Sequence, residues 1–186
     1  ASEDSATAMT QALQSGRLDL AYVGRADKHM VSIPDRQRAA DYDPTSRTWY
    51  KLASTSNDPV LTAPYIAASS KKLVVTFAVA VRNGAEVQGV VGSDVTLDEV
   101  VGTVNQLKPT PAGFAFLADK QGKIIAHPNT QLTLKPITDL AADLSASRLL
   151  EAGADTLVEA AIGDRSFFMR AAPVAGTDWL LVTAAE

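Results

Sequence analysis

The side chains with binding chemistry gather in the first half of this sequence. All four tyrosines (Tyr22, Tyr42, Tyr50 and Tyr65) lie there, and Trp49 joins them. The densest stretch, Asp41 to Tyr50, reads Y-x4-R-x-W-Y. Arg47 offers a planar fork of donors suited to a carboxylate. Trp49 brings an apolar wall with one N–H donor, while Tyr42 and Tyr50 carry hydroxyls on rigid rings. Tyr65 follows Pro64 on an extended stretch, and Asp94, at the end of a predicted strand, can face the same side. A cationic fork and an anionic carboxylate with aromatics between them complement a zwitterion. On this reading Arg47 takes a ligand carboxylate, and Asp94 with one or more tyrosines takes an ammonium. Each such charge-assisted bond contributes roughly 1.5 to 3 kcal/mol net. Two or three of them, with modest apolar burial added, correspond to an affinity on the order of micromolar. The residue types also allow a plainer arrangement. Arg47 can pair locally with Asp41 or Asp43, and the aromatics can serve as core residues with a polar handle.

The elements that must position these groups are mostly strands and turns. Residues 1–20 place Met9, Leu13 and Leu18 on a loose helical period, which predicts the end of a helix. Ala21–Gly24 and Met30–Ile33 read as short apolar strands, the second stopping at Pro34. Lys72–Val81 and Gln88–Val95 read as a long hairpin turning at Asn83-Gly84. Asp43-Pro44 followed by Thr and Ser is turn chemistry and predicts a loop over the Arg47 segment. Thr96 with Glu99 three positions on predicts a capping box. The helix it opens carries Leu97, Val100, Val101, Val104 and Leu107 on one stripe until Pro109 and Pro111 end it.

The pattern then restarts. Ala21–Asp35 aligns without a gap on Ala115–Asn129 as strand, polar turn, strand, proline. The hairpin of Phe167–Val174 with Trp179–Thr183 repeats the one around Asn83-Gly84. The predicted fold is therefore α+β, with two tandem modules that each hold a small antiparallel sheet flanked by helices. The divisions are 1–20 (end of a long N-terminal helix), 21–108 (first module) and 109–186 (second module).

Composition narrows the function classes. The 186 residues carry a net charge of −4, without the basic face of a nucleic-acid binder. With no cysteine, disulfides and thiolate chemistry are excluded. No apolar run approaches the roughly 18 to 20 residues that span a bilayer, so any membrane spans are expected outside the sequence given. His29 and His127 sit at non-equivalent positions of the two copies, which argues against a shared metal site, and no cofactor is implied. Ser32, Ser69 and Ser93 lack a histidine placed as a base. Asp94 as a general base would be opposed by a nearby Arg47. The reading is a binding domain rather than an enzyme.

The segment YDPTSRTWYKLA resembles the YDPR-x-RPWY-x-x-A signature of double-Cache sensor domains. Ala63–Ala68, the strand LVVTFAVAV and Gly89–Val100 follow in the order expected, and GFAFLADKQGKIIAHPN with GTDWLLV resembles the membrane-proximal module. The resemblance implies two PAS-like modules on a long N-terminal helix, in the extracytoplasmic part of a bacterial chemoreceptor of the methyl-accepting type. The ligand would be a small molecule, an L-amino acid in the relatives sharing this motif. By resemblance, Arg47 and Trp49 hold its carboxylate, Tyr50 and Asp94 hold its amino group, and Tyr22, Tyr42 and Tyr65 line the pocket. It further implies a conformational signal, a membrane-anchored parent, a possible homodimer, and a second module that acts as a spacer. The sequence departs from the pattern at Ala67, where relatives carry an acid, and at Thr45 and Thr48. Amine or other carboxylate sensors, and receptors with kinase or cyclase outputs, remain the alternatives.

Overall fold

The computed structural model describes residues 10–11, 18–153 and 156–186. Most of the predicted N-terminal helix lies outside them; Thr10 and Gln11 are helical, and a strand begins at Leu20. The chain forms two compact units, Ala1–Leu97 and Asp98–Glu186.

The first unit is built on one antiparallel sheet. Its strands are β1 (Leu20–Arg25), β2 (Met30–Ile33), β3 (Val60–Leu61), β4 (Tyr65–Ile66), β5 (Leu73–Asn83) and β6 (Glu86–Thr96). They run in the order β2-β1-β6-β5-β3, with β4 also pairing on β5. The β5–β6 hairpin closes through Gly84, at φ +60°, and Ala85, with Asn83 opposite Glu86. A positive φ at the first loop position alone is the type II′ pattern, whose twist suits a hairpin. One face of the sheet carries helix α1 (Thr48–Ser54), and their shared core holds Leu20, Tyr22, Trp49, Tyr50, Ala53, Ala78 and Val90.

The second unit begins with helix α2 (Asp98–Gln106), which packs on β7 (Phe114–Asp119) and β8 (Ile124–Ala126). After two 3-10 turns (Thr130–Leu132 and Ile137–Asp139) come helix α3 (Ala146–Ala152) and strands β9 (Val158–Ile162), β10 (Arg165–Pro173) and β11 (Trp179–Ala185), with the sheet order β8-β7-β11-β10-β9. This order repeats that of the first unit, strand for strand, and the aligned segments form the same hairpin in both. Even the turn agrees. Lys28 (φ +70°) and Gly122 (φ +85°) hold equivalent positions in the left-handed region.

Two boundaries differ from the sequence reading. Thr96 does not cap a helix. It closes β6 opposite Val74, and its N–H donates to Asp19 Oδ2 at 2.7 Å, so α2 starts at Asp98. The division of the chain falls after Leu97 rather than at 108. The stripe of α2 lies with Leu117, Trp179 and Leu181 of the second sheet, which draws the helix into that unit.

Candidate functional site

Strand periodicity decides which side chains share a face in the first unit. Leu20, Asp94 and Thr76 form one cross-strand row over β1, β6 and β5, and Tyr22, Gly92 and Ala78 form the next. All point to the α1 side. Gly92 is the reason Tyr22 can reach Asp94: a Cβ there would overlap the Tyr22 ring, which lies across β6 in the space a side chain would take. Gly24 makes a similar seat, since its Cβ would stand 2.7 Å from Trp49 Cη2 and 2.9 Å from Pro44 Cβ. Gly92→Ala should therefore expel the Tyr22 ring from its place. The expected result is a loss of about 1 to 3 kcal/mol from overpacking, read as a lower Tm, together with weakened ligand binding in calorimetry. A variant that keeps wild-type Tm and affinity would refute this role for the glycine.

The polar centre is a chain of hydroxyls ending on one carboxylate oxygen. Tyr22 O–H donates to Asp94 Oδ1 at 2.8 Å, and Thr76 Oγ1–H donates to the same oxygen at 2.7 Å. Having spent its single proton on Asp94, Thr76 must accept from Tyr65 O–H, 2.7 Å away. Asp94 is only 5% exposed, yet Oδ2 receives no hydrogen bond among the described residues. Burial raises the Asp94 carboxyl above its ordinary range, against the two hydroxyl donors, which favour the ionised form. Burial likewise raises the Tyr22 phenol and pushes that of Tyr65 up to about 12, so both remain protonated donors at neutral pH.

The cationic side is built by the loop and turn before α1. Asp43 caps the turn Pro44–Ser46, accepting from Thr45 N–H at 2.9 Å and from the Thr45 hydroxyl at 2.6 Å, and Lys28 pairs with it at 2.9 Å. The Thr45 hydroxyl, then Lys28, hold the Asp43 carboxyl down at about 2. Asp43 is thus engaged elsewhere, and Arg47 has no ion pair or side-chain hydrogen bond among the described residues. The Arg47 guanidinium carbon lies 5.7 Å from the Tyr42 ring centroid. Burial raises the Tyr42 phenol, opposed by the charges of Arg47 and Arg38.

These groups converge on one small cavity of about 20 Å³, lined by Leu20, Tyr22, Met30, Arg38, Tyr42, Arg47, Trp49, Tyr65, Ala67, Ala68, Ser69 and Asp94. Past Leu20, Ser69 and Asp94 lies a wider cleft of about 290 Å³. Six of the residues predicted from sequence therefore meet here: Tyr22, Tyr42, Arg47, Trp49, Tyr65 and Asp94. Tyr50 does not. The Arg47 segment is a short turn running into a helix rather than the predicted loop, and consecutive helical residues point about 100° apart. Trp49 faces the cavity, edge-on to Tyr22 with ring centroids 4.8 Å apart, while Tyr50 packs in the core beside it at 5.7 Å. Thr76 and Arg38 were missed. Thr76, one hydroxyl in an apolar strand, is a legible anomaly in LVVTFAVAV; Arg38 has no spacing that marks it.

The second unit places apolar residues at the positions of this network. By alignment and strand register, Tyr22, Asp94 and Thr76 correspond to Phe116, Ala184 and Met169, all fully buried. His127 packs beside Phe114 and Phe116, its Nδ1 accepting from Asn129 N–H at 2.9 Å. Of the serines, Ser32 accepts from Arg38 at 2.6 Å and Ser93 donates to Leu20 O at 3.1 Å.

The family model of the Cache domain, in its double-Cache form, matches residues 2–186. The chain is a double-Cache domain. Among its relatives, the methyl-accepting chemotaxis protein PscA of Pseudomonas syringae pv. tomato is 43% identical over 125 residues, 67% of this chain and 20% of that protein. The methyl-accepting chemotaxis protein PctB of Pseudomonas aeruginosa is 37% identical over 119 residues, 64% of this chain and 19% of that one. This Cache domain thus spans about a fifth of the length of these curated relatives. Among solved structures, the ligand-binding domain of the PctB amino acid chemoreceptor in complex with L-Gln matches with a TM-score of 0.78 at 29% identity, covering 100% of this chain and 75% of that one. The complex of the same domain with L-Arg matches at 0.77 and 28%, covering 100% and 79%.

Proposed function

We propose that this Cache domain is the extracytoplasmic ligand-binding sensor of a methyl-accepting chemoreceptor, and that its ligand is a small L-amino acid. The observation that carries this reading is a pair of opposite charges facing one cavity. Among the described residues Arg47 has its donors unspent, and Asp94 is buried with Oδ1 accepting two hydrogen bonds and Oδ2 none. Arg47 takes the ligand carboxylate through its planar fork. Asp94 Oδ2 takes the ammonium, with Tyr22 and Thr76 holding the carboxylate rigid from behind. Trp49 and Tyr42 wall the carbon skeleton. Kinship to chemotaxis proteins, and likeness to a domain solved with amino acids, support the same reading.

A sensor transmits only the difference in affinity between two arrangements. The cavity has room for little more than one water, so a larger ligand must displace a wall. Tyr42 and Arg47 are half-buried on the loop side, whereas Tyr22, Thr76 and Asp94 are fixed in the sheet. The loop is the part that adjusts, and that adjustment is the proposed start of the signal.

A thermal-shift screen of the domain against the L-amino acids, amines such as putrescine, and small organic acids tests the reading. Ligand at a hundred times its dissociation constant adds about 2.7 kcal/mol of stability, a readily visible shift. A response to L-amino acids is expected. Shifts confined to amines or to simple acids would overturn the zwitterion reading.

A further inference from the structure

The cavity contains more positive charge than a neutral amino acid can satisfy. Among its lining residues are two guanidinium groups, on Arg38 and Arg47, and one carboxylate, on Asp94. If an α-carboxylate neutralises Arg47 and an α-ammonium neutralises Asp94, Arg38 remains without a counter-charge. No protein acid supplies one: among the described residues neither arginine is within ion-pair distance of an aspartate or glutamate. The adjoining wall at Ala67 and Ala68 is uncharged.

Arg38 is also held in place for a ligand. Its Nη2 donates to Ser32 Oγ at 2.6 Å and its Nη1 to the Arg36 carbonyl at 2.9 Å. Ser32 is buried, on β2, so the contact ties the guanidinium to the sheet. The head lies 5.9 Å from the Tyr42 ring centroid, while Arg47 stands 5.7 Å from the same ring. Of the five N–H donors on a guanidinium, two are used for this anchoring and the others remain for a second carboxylate.

We propose that the ligand is a dicarboxylic L-amino acid of the aspartate or glutamate kind, whose side-chain carboxylate is bound by Arg38. This rests on the assignment of Arg47 and Asp94 to the α-carboxylate and α-ammonium. Replacing the side-chain carboxylate by its isosteric amide keeps size and shape but removes the charge that Arg38 lacks. The acid therefore binds at least about tenfold more tightly, equivalent to ~1.4 kcal/mol.

Calorimetry of the domain with L-aspartate against L-asparagine, and L-glutamate against L-glutamine, tests this directly. At least one acid should exceed its amide tenfold or more, and in Arg38→Met that ratio should fall to near one, with the melting curve confirming that the variant is folded. Two results overturn the inference while leaving the amino-acid reading intact: acid and amide binding equally in the wild type, or an acid preference that survives in Arg38→Met. The latter would mean that Arg47 or another cation supplies it. If neither acids nor amides bind, the inference falls, while the amino-acid reading falls only if the wider thermal-shift screen also finds no L-amino acid that binds.

Discussion

Asp94→Asn is expected to weaken amino-acid binding by about 30-fold or more while the ligand-free domain keeps its fold. The asparagine Oδ1 still accepts from Tyr22 and Thr76, so the buried hydroxyl chain stays satisfied. Only the charge that receives the ligand ammonium is lost. Removing one partner of a desolvated charged contact costs about 2 to 5 kcal/mol, or about 30-fold and upward in affinity.

Asp94 also sets a pH signature. Burial raises its carboxyl in the ligand-free protein, whereas a bound ammonium favours the ionised form and lowers it again. Binding therefore releases a proton at low pH. Affinity should be flat above the raised pKa and weaken by up to about tenfold per pH unit as the pH falls through it. Stability runs the other way. Because the folded pKa exceeds the unfolded one, the contribution of Asp94 is fully present below the ordinary carboxylate range and is lost as the pH rises through the raised value. Asp94→Asn should thus be at least as stable as the ligand-free wild type at neutral pH, with its advantage shrinking on acidification. Calorimetric titrations and melts between about pH 4 and pH 8 check both signs. Wild-type affinity in Asp94→Asn would remove Asp94 from the site. Asp19, Tyr22, Tyr42 and Tyr65 are its titratable neighbours, and the three phenols, all raised, stay protonated through that window.

Arg47→Ala carries the second large effect. Among the described residues the guanidinium has no hydrogen bond or ion pair that its removal would orphan, and it lies 5.7 Å from the Tyr42 ring centroid. At the N-cap of α1 its side chain makes no capping hydrogen bond either, since a guanidinium cannot accept from the helix N–H groups. Stability should stay within about 0.5 kcal/mol of the wild type. Binding should fall by about 2 to 5 kcal/mol, because the ligand carboxylate enters a narrow cavity without its fork. Arg47→Lys keeps the charge as a point and loses the two parallel donors, so its affinity belongs between the two. Calorimetry beside a thermal melt separates these outcomes. An Arg47→Ala variant that unfolds would mean the side chain has a structural partner, contrary to its geometry.

Much of this was legible because it is local or periodic. Apolar runs at Ala21–Gly24 and along LVVTFAVAV marked strands, Asn83-Gly84 marked a hairpin, and the ungapped match of Ala21–Asp35 with Ala115–Asn129 marked two copies of one module. The motif YDPTSRTWY carried the family. Arg47 and Asp94 were legible as opposite charges flanked by aromatics, since a zwitterion calls for both.

What the sequence could not decide depended on direction and on partners distant along the chain. Whether Arg47 paired with Asp43 turned on Lys28 and Thr45 reaching that aspartate first. Trp49 and Tyr50 are neighbours in the motif, but the helical rotation between them sends one to the cavity and the other into the core. Asp94 faces the cavity with a hydroxyl network behind it because strand register sets it beside Thr76 and lets Tyr22 cross above Gly92; the same register in the second unit aligns Phe116, Ala184 and Met169. Arg38 joined the cavity only through a hydrogen bond to Ser32 and a ring six positions and four positions away. Composition and period fix which residues can pair in a sheet and which type of ligand they suit. The packing of turn and helix on that sheet decides which of them face one another, because only there do burial and hydrogen-bond satisfaction act on every group at once.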